Sequence, residues 1–230
     1  MTTIGILGGM SWESTALYYR LANELVRERR GGLASADLLV RSLDFETVRT
    51  LQLEDRWDDA AALLRREGLA LQGAGAGVVL LATNYMHKAA VPLEEALDVP
   101  FLHLADVVAA AAHGVGAGVV GLLGAGGTMR EDFYADRLAR SDLRVLVPDA
   151  PQVERVDRAV FDELCRGVLS RTTRADLRSV VAGLVARGAR AVALACTELE
   201  LLLGPEDADV PLLPSARLHV EAALGAVGRG

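Results

Sequence analysis

Short runs of apolar residues alternate along the chain with longer stretches in which apolar positions recur every three to four residues. A run of four to eight small or branched apolar residues bounded by polar ones reads as a buried parallel strand, and the longer stretches read as amphipathic helices. This pattern predicts strands at Thr3–Leu7, Asp37–Phe45, within Gly77–Asn84, at Val99–Leu104, Val119–Gly124, Leu143–Val147, from Ala191 to Cys196, and at Val210–Leu213. Between them it predicts helices at Ser14–Arg29, Glu54–Gln72, an Ala-rich stretch ending at Gly114, Met129–Arg140, Gln152–Leu169 and Thr173–Arg187, and a last helix ending in Gly228-Arg229-Gly230.

The plan repeats itself. Strand, glycine turn and helix start at Gly5–Ser14 recur at Val119–Met129, and the run ending at Thr83-Asn84 (GVVLLATNYMHK) recurs in AVALACTELELLL, which ends at Cys196-Thr197. Strand ends of this kind lie at the carboxyl edge of a parallel sheet, where open α/β sheets take ligands. The expected fold is therefore α/β, with two pseudo-symmetric lobes, each a mostly parallel sheet flanked by helices, facing each other across a cleft that holds the active site. The expected lobes are residues 1–98 with 208–230, and residues 99–207.

Composition narrows the function. The 230 residues are 51% hydrophobic but only 4% aromatic, which suits helices packed closely on parallel strands. A net charge of -7 and a pI near 5.2 leave no basic face for nucleic acid. No stretch approaches the roughly 20 apolar residues of a membrane span, and the chain starts directly on a strand pattern, so a cytoplasmic location is expected. Cys165 and Cys196 are the two cysteines, without CxxC spacing, and His87, His103, His113 and His219 are far apart in sequence without a metal-ligand pattern, so no disulfide framework and no metal site is expected.

Several local features admit two readings. Gly8-Gly9 offers backbone amides to an anion at a helix start or makes a tight turn with positive φ. Gly124 and Gly126 partly fit a dinucleotide fingerprint, but Met129 stands where the third glycine is needed for close helix packing. Cys165, in FDELCRGVL, falls on a helical face with Phe161 and Leu164 and reads as a buried structural thiol. Asn84-Tyr85 reads as a helix cap or as part of a binding site. Arg49 and Gln52, just past the second strand, are within reach of a ligand or simply solvated.

A thiol with an ordinary pKa near ~8.5 is close enough to neutrality to be tuned into a base, whereas a threonine hydroxyl suits proton donation or relay. Cys196 and Thr83 at matching strand ends therefore suggest an asymmetric pair of proton-transfer groups on one carbon. The alternative is an ordinary core cysteine and an unrelated threonine.

The segments GGMSWES, DF preceding Gln52, TN-x-MHK, GTM-x-x-DFY at Gly127–Tyr134, and CTE resemble the aspartate/glutamate racemase family, from Met1 to the final helix. The resemblance implies two pseudo-symmetric α/β lobes, independence from pyridoxal phosphate and metal, a homodimer, and acid–base groups on opposite faces of an amino acid's α-carbon. One of the family's two cysteines matches Cys196 and the other position carries Thr83, which implies a Thr/Cys subgroup. By the same resemblance Cys196 takes the α-proton of one enantiomer, expected to be L, and Thr83 returns it to the other face. Asn84 and Thr197 hold the α-carboxylate, Met10, Gln52 and Thr128 line the pocket, and Arg49 takes a side-chain carboxylate. Tyr85 and Glu198 complete the expected substrate-binding set; Glu198 or His87 tunes the bases, the sequence leaving open which. Two departures bear on the substrate, a small amino-acid carboxylate: Tyr85 and Ala125 both stand where the family usually has Thr. A decarboxylase or isomerase of the same superfamily using one cysteine, and an inactive small-molecule binding protein, are the alternatives.

Overall fold

The central strands are where the chain is most apolar. Ile4–Gly8 (β1), Val78–Leu81 (β3) and Ala191–Ala195 (β7) are buried along their whole length, as expected for parallel strands covered by helices on both faces. The edge strands Leu38–Ser42 (β2) and Arg144–Leu146 (β6) are partly exposed and carry arginine, which suits an unpaired edge. This computed structural model describes residues 2–227, so the expected helix end at Gly228-Arg229-Gly230 lies outside the described residues.

The chain divides into two units. The first runs to Leu104 and resumes at His219; the second is Ala105–Leu218. In the first unit β1 is followed by Trp12–Arg30 (α1), β2, Phe45–Leu53 (α2), Trp57–Gly73 (α3), β3, Val91–Ala96 (α4) and Phe101–Leu102 (β4). The second holds Leu104–Gly114 (α5, from its second residue), Val119–Gly124 (β5), Gly126–Arg130 (α6), Asp132–Ala139 (α7), β6, Ala150–Arg158 (α8), Arg171–Ala186 (α9), β7 and Leu212–Pro214 (β8). Ser215–Val227 (α10) starts there and ends in the first unit. The breaks after Leu104 and Leu218 fall six and eleven residues later than those after residues 98 and 207: β4 pairs with β3, and β8 pairs with β7, so each strand belongs with the sheet before it. Among the described residues no helix is long and apolar enough to cross a membrane.

Among the described residues, two four-stranded parallel sheets have the same order, β2-β1-β3-β4 and β6-β5-β7-β8. Their registers also agree. Val79 lies opposite Gly5 and Val192 opposite Gly121, and in both sheets that glycine lets a helix close in: an added Cβ would lie 3.4 Å from Leu71 Cβ of α3 at Gly5 and 3.0 Å from Leu184 of α9 at Gly121. Counting four residues on from Val79 and from Val192 reaches Thr83 and Cys196. The two residues are structural equivalents, as the repeat in the sequence suggested. Each sheet has its own core, one built on Leu7, Leu64, Leu81 and Leu93, the other on Leu123, Leu177, Leu184 and Leu194. Each such side chain contributes roughly 1.5–3 kcal/mol by burial.

Three predicted elements differ. The second strand stops at Ser42 because Asp44 caps a helix: its carboxylate accepts from the Glu46 and Thr47 amides, and α2 starts at Phe45, ahead of the expected Glu54. The helix predicted at Met129–Arg140 is two pieces with Glu131 extended between them. The helix predicted over Gln152–Leu169 ends regular α-geometry at Arg158, loosens into a π-turn at Ala159–Glu163 and closes at left-handed Gly167. Phe161 is exposed as a result, while Leu164 is buried and Cys165 half-buried against the core.

Gly9 is a tight turn. Its φ is +88°, and an added Cβ would lie 2.1 Å from the Leu43 carbonyl oxygen and 2.2 Å from the Leu43 nitrogen. Gly9→Ala combines left-handed strain with a clash against backbone that cannot rotate away, and is expected to cost roughly 3 kcal/mol. A urea melt checks this; an unchanged midpoint would show that the turn has another accessible geometry.

Candidate active site

In each sheet the chain crosses to one side of the first strand and then to the other, so the switch point lies between β1 and β3, and between β5 and β7. Ligands of open α/β sheets sit outside the carboxyl ends of strands at such points. Thr83 and Asn84 follow β3 there, Gly9 and Met10 follow β1, Cys196 and Thr197 follow β7, and Ala125–Thr128 follow β5.

In the second unit Cys196, Thr197 and Glu198 form one hydrogen-bonded group. The Cys196 thiol donates to Glu198 Oε2 at 3.0 Å, and the Thr197 hydroxyl donates to the same oxygen at 2.7 Å. All three are buried. Burial pushes the Cys196 thiol well above its ordinary range, and the neighbouring Glu198 carboxylate raises it further by charge and by accepting its proton. The resting group is thus a thiol facing a carboxylate, with the route for its proton already made. Glu200, two residues on, accepts from Ser215 Oγ and the Ala216 amide at the start of α10, tying this loop down.

Thr128, on α6, is buried, and among the described residues its Oγ1 has no hydrogen-bond partner. A buried hydroxyl without a partner costs about 1–3 kcal/mol, so a ligand or water that met it would recover that energy. Ala125 is the N-cap of α6 and makes no side-chain capping bond. Asp157 of α8 supplies the acceptor, its Oδ1 taking the Gly126 amide at 2.6 Å. This carboxylate stands where a dinucleotide phosphate would need that amide. In the first unit the Gly9 N–H, at the turn after β1, is likewise used internally, donating to Thr15 Oγ1 at 2.7 Å.

In the first unit the residues after β3 are fixed one by one. Thr83 is half-buried and Asn84 buried; Asn84 has helical φ and ψ and makes no side-chain capping bond, so the cap reading does not hold. Tyr85 meets Trp57 edge to face at 5.3 Å between centroids, and Lys88 Nζ sits 3.9 Å from the centre of the Trp57 ring. Met86 Sδ accepts from Gln52 Nε2 at 2.9 Å, and Gln52 Oε1 accepts from Arg49 at 3.1 Å. Arg49 and Gln52 are therefore one turn apart on α2 rather than in a loop past a strand; Arg49 is exposed, Gln52 half-buried and Met10 buried.

Three histidines that are remote in sequence come together. His87, His103 and His219 are buried, with ring centroids 4.5 Å apart for His87–His103 and 6.2 Å for His87–His219. The sequence carries no signal for this cluster, because sheet order alone brings its members together. Among the described residues no group of three or more His, Cys, Asp and Glu is arranged to hold an ion, and both nitrogens of His87 and of His219 face protein partners.

Known proteins share this fold. The profile of the Asp/Glu/Hydantoin racemase family matches residues 7–223. The chain is similar to a candidate Asp/Glu racemase from Yersinia pestis, at 40% identity and a TM-score of 0.92, over 98% of this chain and 99% of that one. It is also similar to an aspartate racemase homologue from Pyrococcus horikoshii, at 30% identity and a TM-score of 0.89, over 99% and 100% of the two chains. A Picrophilus torridus aspartate racemase shares the fold, at 18% identity and a TM-score of 0.76, over 99% and 95%. With two matching four-stranded sheets and a profile match across nearly its whole length, this protein belongs to the Asp/Glu/Hydantoin racemase family.

Proposed function

We propose that the protein is an amino-acid racemase acting on aspartate or glutamate without a cofactor, with Cys196 and Thr83 exchanging protons with opposite faces of the α-carbon. The observation that carries this reading is the equivalence of the two residues: each stands four positions beyond the strand residue that faces the conserved-in-repeat glycine, Gly5 or Gly121. Family membership and the names of the two relatives point the same way.

The chemistry follows from the groups present. Glu198 receives the Cys196 proton along the existing hydrogen bond, and the thiolate so formed takes the α-proton from one enantiomer. The Thr83 hydroxyl protonates the carbanion on the other face and regains a proton from solvent, while Glu198 releases to solvent the proton it took from Cys196, so the cycle closes with every group in its starting state. Carbanion formation places a second negative charge beside the α-carboxylate, so donors must already be in place around it. Asn84 and Thr128 supply them, Thr197, whose hydroxyl already donates to Glu198, lines the site beside them, Met10 and Tyr85 shape the pocket, and Arg49, held by Gln52, meets the side-chain carboxylate. Glu198 thus acts through Cys196 rather than on the substrate. We place the enzyme in the cytoplasm as a homodimer.

The test is to incubate L-aspartate, L-glutamate and a panel of other L-amino acids with the protein in D2O, follow the α-proton by NMR and resolve enantiomers by chiral chromatography. Deuterium at the α-carbon together with D-product is expected for an acidic amino acid. No exchange across the panel would exclude racemisation, and carbon dioxide release from substituted malonates would then favour the single-cysteine decarboxylase.

A further inference from the structure

We propose that His87 is a positioning residue for Thr83, holding the backbone of that strand end through a neutral imidazole of fixed tautomer. The inference rests on the racemase reading above and assigns His87 to the Thr83 half of the reaction.

The tautomer follows from the partners. Leu104 N–H donates to His87 Nε2 at 3.2 Å, so Nε2 presents its lone pair. Nδ1 therefore carries the proton, and it lies 2.7 Å from the Thr83 carbonyl oxygen, which can only accept. An imidazolium would set Nε2–H against Leu104 N–H. The ring thus joins the end of β3 to Leu104, the second residue after β4, and it does so as a neutral group.

The other side of β4 is held in the opposite sense. His219 Nε2 lies 2.7 Å from the Leu102 carbonyl and donates to it, leaving Nδ1 to accept from the Tyr18 hydroxyl at 2.9 Å. Two buried rings with opposite tautomers thus fix Leu102 and Leu104, and His103 packs against His87 between them. Thr83 itself has one further backbone tie, its amide to the Leu81 carbonyl at 2.9 Å. With Nδ1–H removed, the carbonyl of a catalytic strand end loses its side-chain anchor, and the hydroxyl on the same residue loses its fixed direction.

The experiment compares the full-length protein with His87→Ala, His87→Asn and His87→Gln. Asn places an N–H close to where Nδ1–H was; Gln reaches toward the Nε2 position instead. D-product formation is expected to fall roughly 10- to 100-fold in His87→Ala and His87→Gln, the scale of a small misplacement of a reacting group, and to recover largely in His87→Asn. Deuterium entry into recovered L-substrate, which needs only the Cys196 half, is expected to persist in all three. Equal loss of exchange and racemisation in every variant, or no recovery in His87→Asn, would overturn the proposal. The Thr83 carbonyl carbon shift in the substrate-free protein reads the same anchor without catalysis: it moves in His87→Ala and His87→Gln and returns in His87→Asn. Failure of that pattern overturns the positioning role even in an active enzyme, whereas absence of wild-type exchange with the pattern intact overturns only the racemase reading.

Discussion

Cys196→Ala is expected to leave a folded protein that no longer exchanges the α-proton of its substrate, with a loss of about 10⁴-fold, the upper end of what a positioned acid–base group contributes. The structural cost is small because the side chain is short and Thr197 still donates to Glu198 Oε2. Thr83→Ala behaves differently: exchange into the L-enantiomer continues through Cys196, while D-product falls, because the other face has lost its donor. Glu198→Gln keeps the volume and an acceptor for the thiol but removes the group that takes its proton, so both exchange and racemisation fall. Solvent exchange and chiral analysis on the same samples separate the three patterns. Full exchange by Cys196→Ala would mean that another group removes the proton and would end the two-base assignment.

The second large effect concerns acid stability. His219 is buried, and its basicity is lowered to about 3, first because burial penalises the imidazolium and next because His87 lies close by, against a smaller opposing contribution from the Leu102 carbonyl. In the unfolded chain such a ring titrates near ~6.5. Between those values the unfolded state binds more protons than the folded one, so stability increases with pH across that window. The contribution is complete above the unfolded value and is lost progressively as the pH falls through the window. The expected loss is about 2 kcal/mol by pH 5 and on the order of 4–5 kcal/mol once the folded value is reached.

Urea melts at pH 7.5, 6 and 5 read this directly. His219→Gln retains an N–H for the Leu102 carbonyl but has no group to protonate, so it starts less stable and loses less on acidification. Tyr18 and His87 are titratable neighbours of the ring and are common to both proteins. Parallel pH dependences in the two proteins would place the acid-sensitive group elsewhere.

These expectations draw on two kinds of information. The sequence alone determined the alternation of strands and helices, because buried parallel strands need continuous apolar runs such as VVLL and AVALA, and these are legible without a fold. It also determined the internal repeat, and with it the equivalence of Thr83 and Cys196, because the repeat is written in matching residues. It placed the candidate residues Thr83, Asn84, Cys196 and Thr197 at strand ends, where a run of apolar residues has to stop.

Only the tertiary structure decided what those residues touch. That Glu198 meets the thiol two positions before it, rather than pointing elsewhere, depends on the backbone path after β7. That Asp157 takes over an amide beside Ala125 depends on α8 packing against α6, across 31 residues of chain. That Asp44 starts a helix instead of ending a strand is a local choice, but one made by hydrogen bonds that compete closely with strand pairing. The histidine cluster was hidden most completely. His87 and His219 are brought together by sheet order and by a last helix that returns to the first unit, and no periodicity in the sequence records a contact that a crossover of the chain creates.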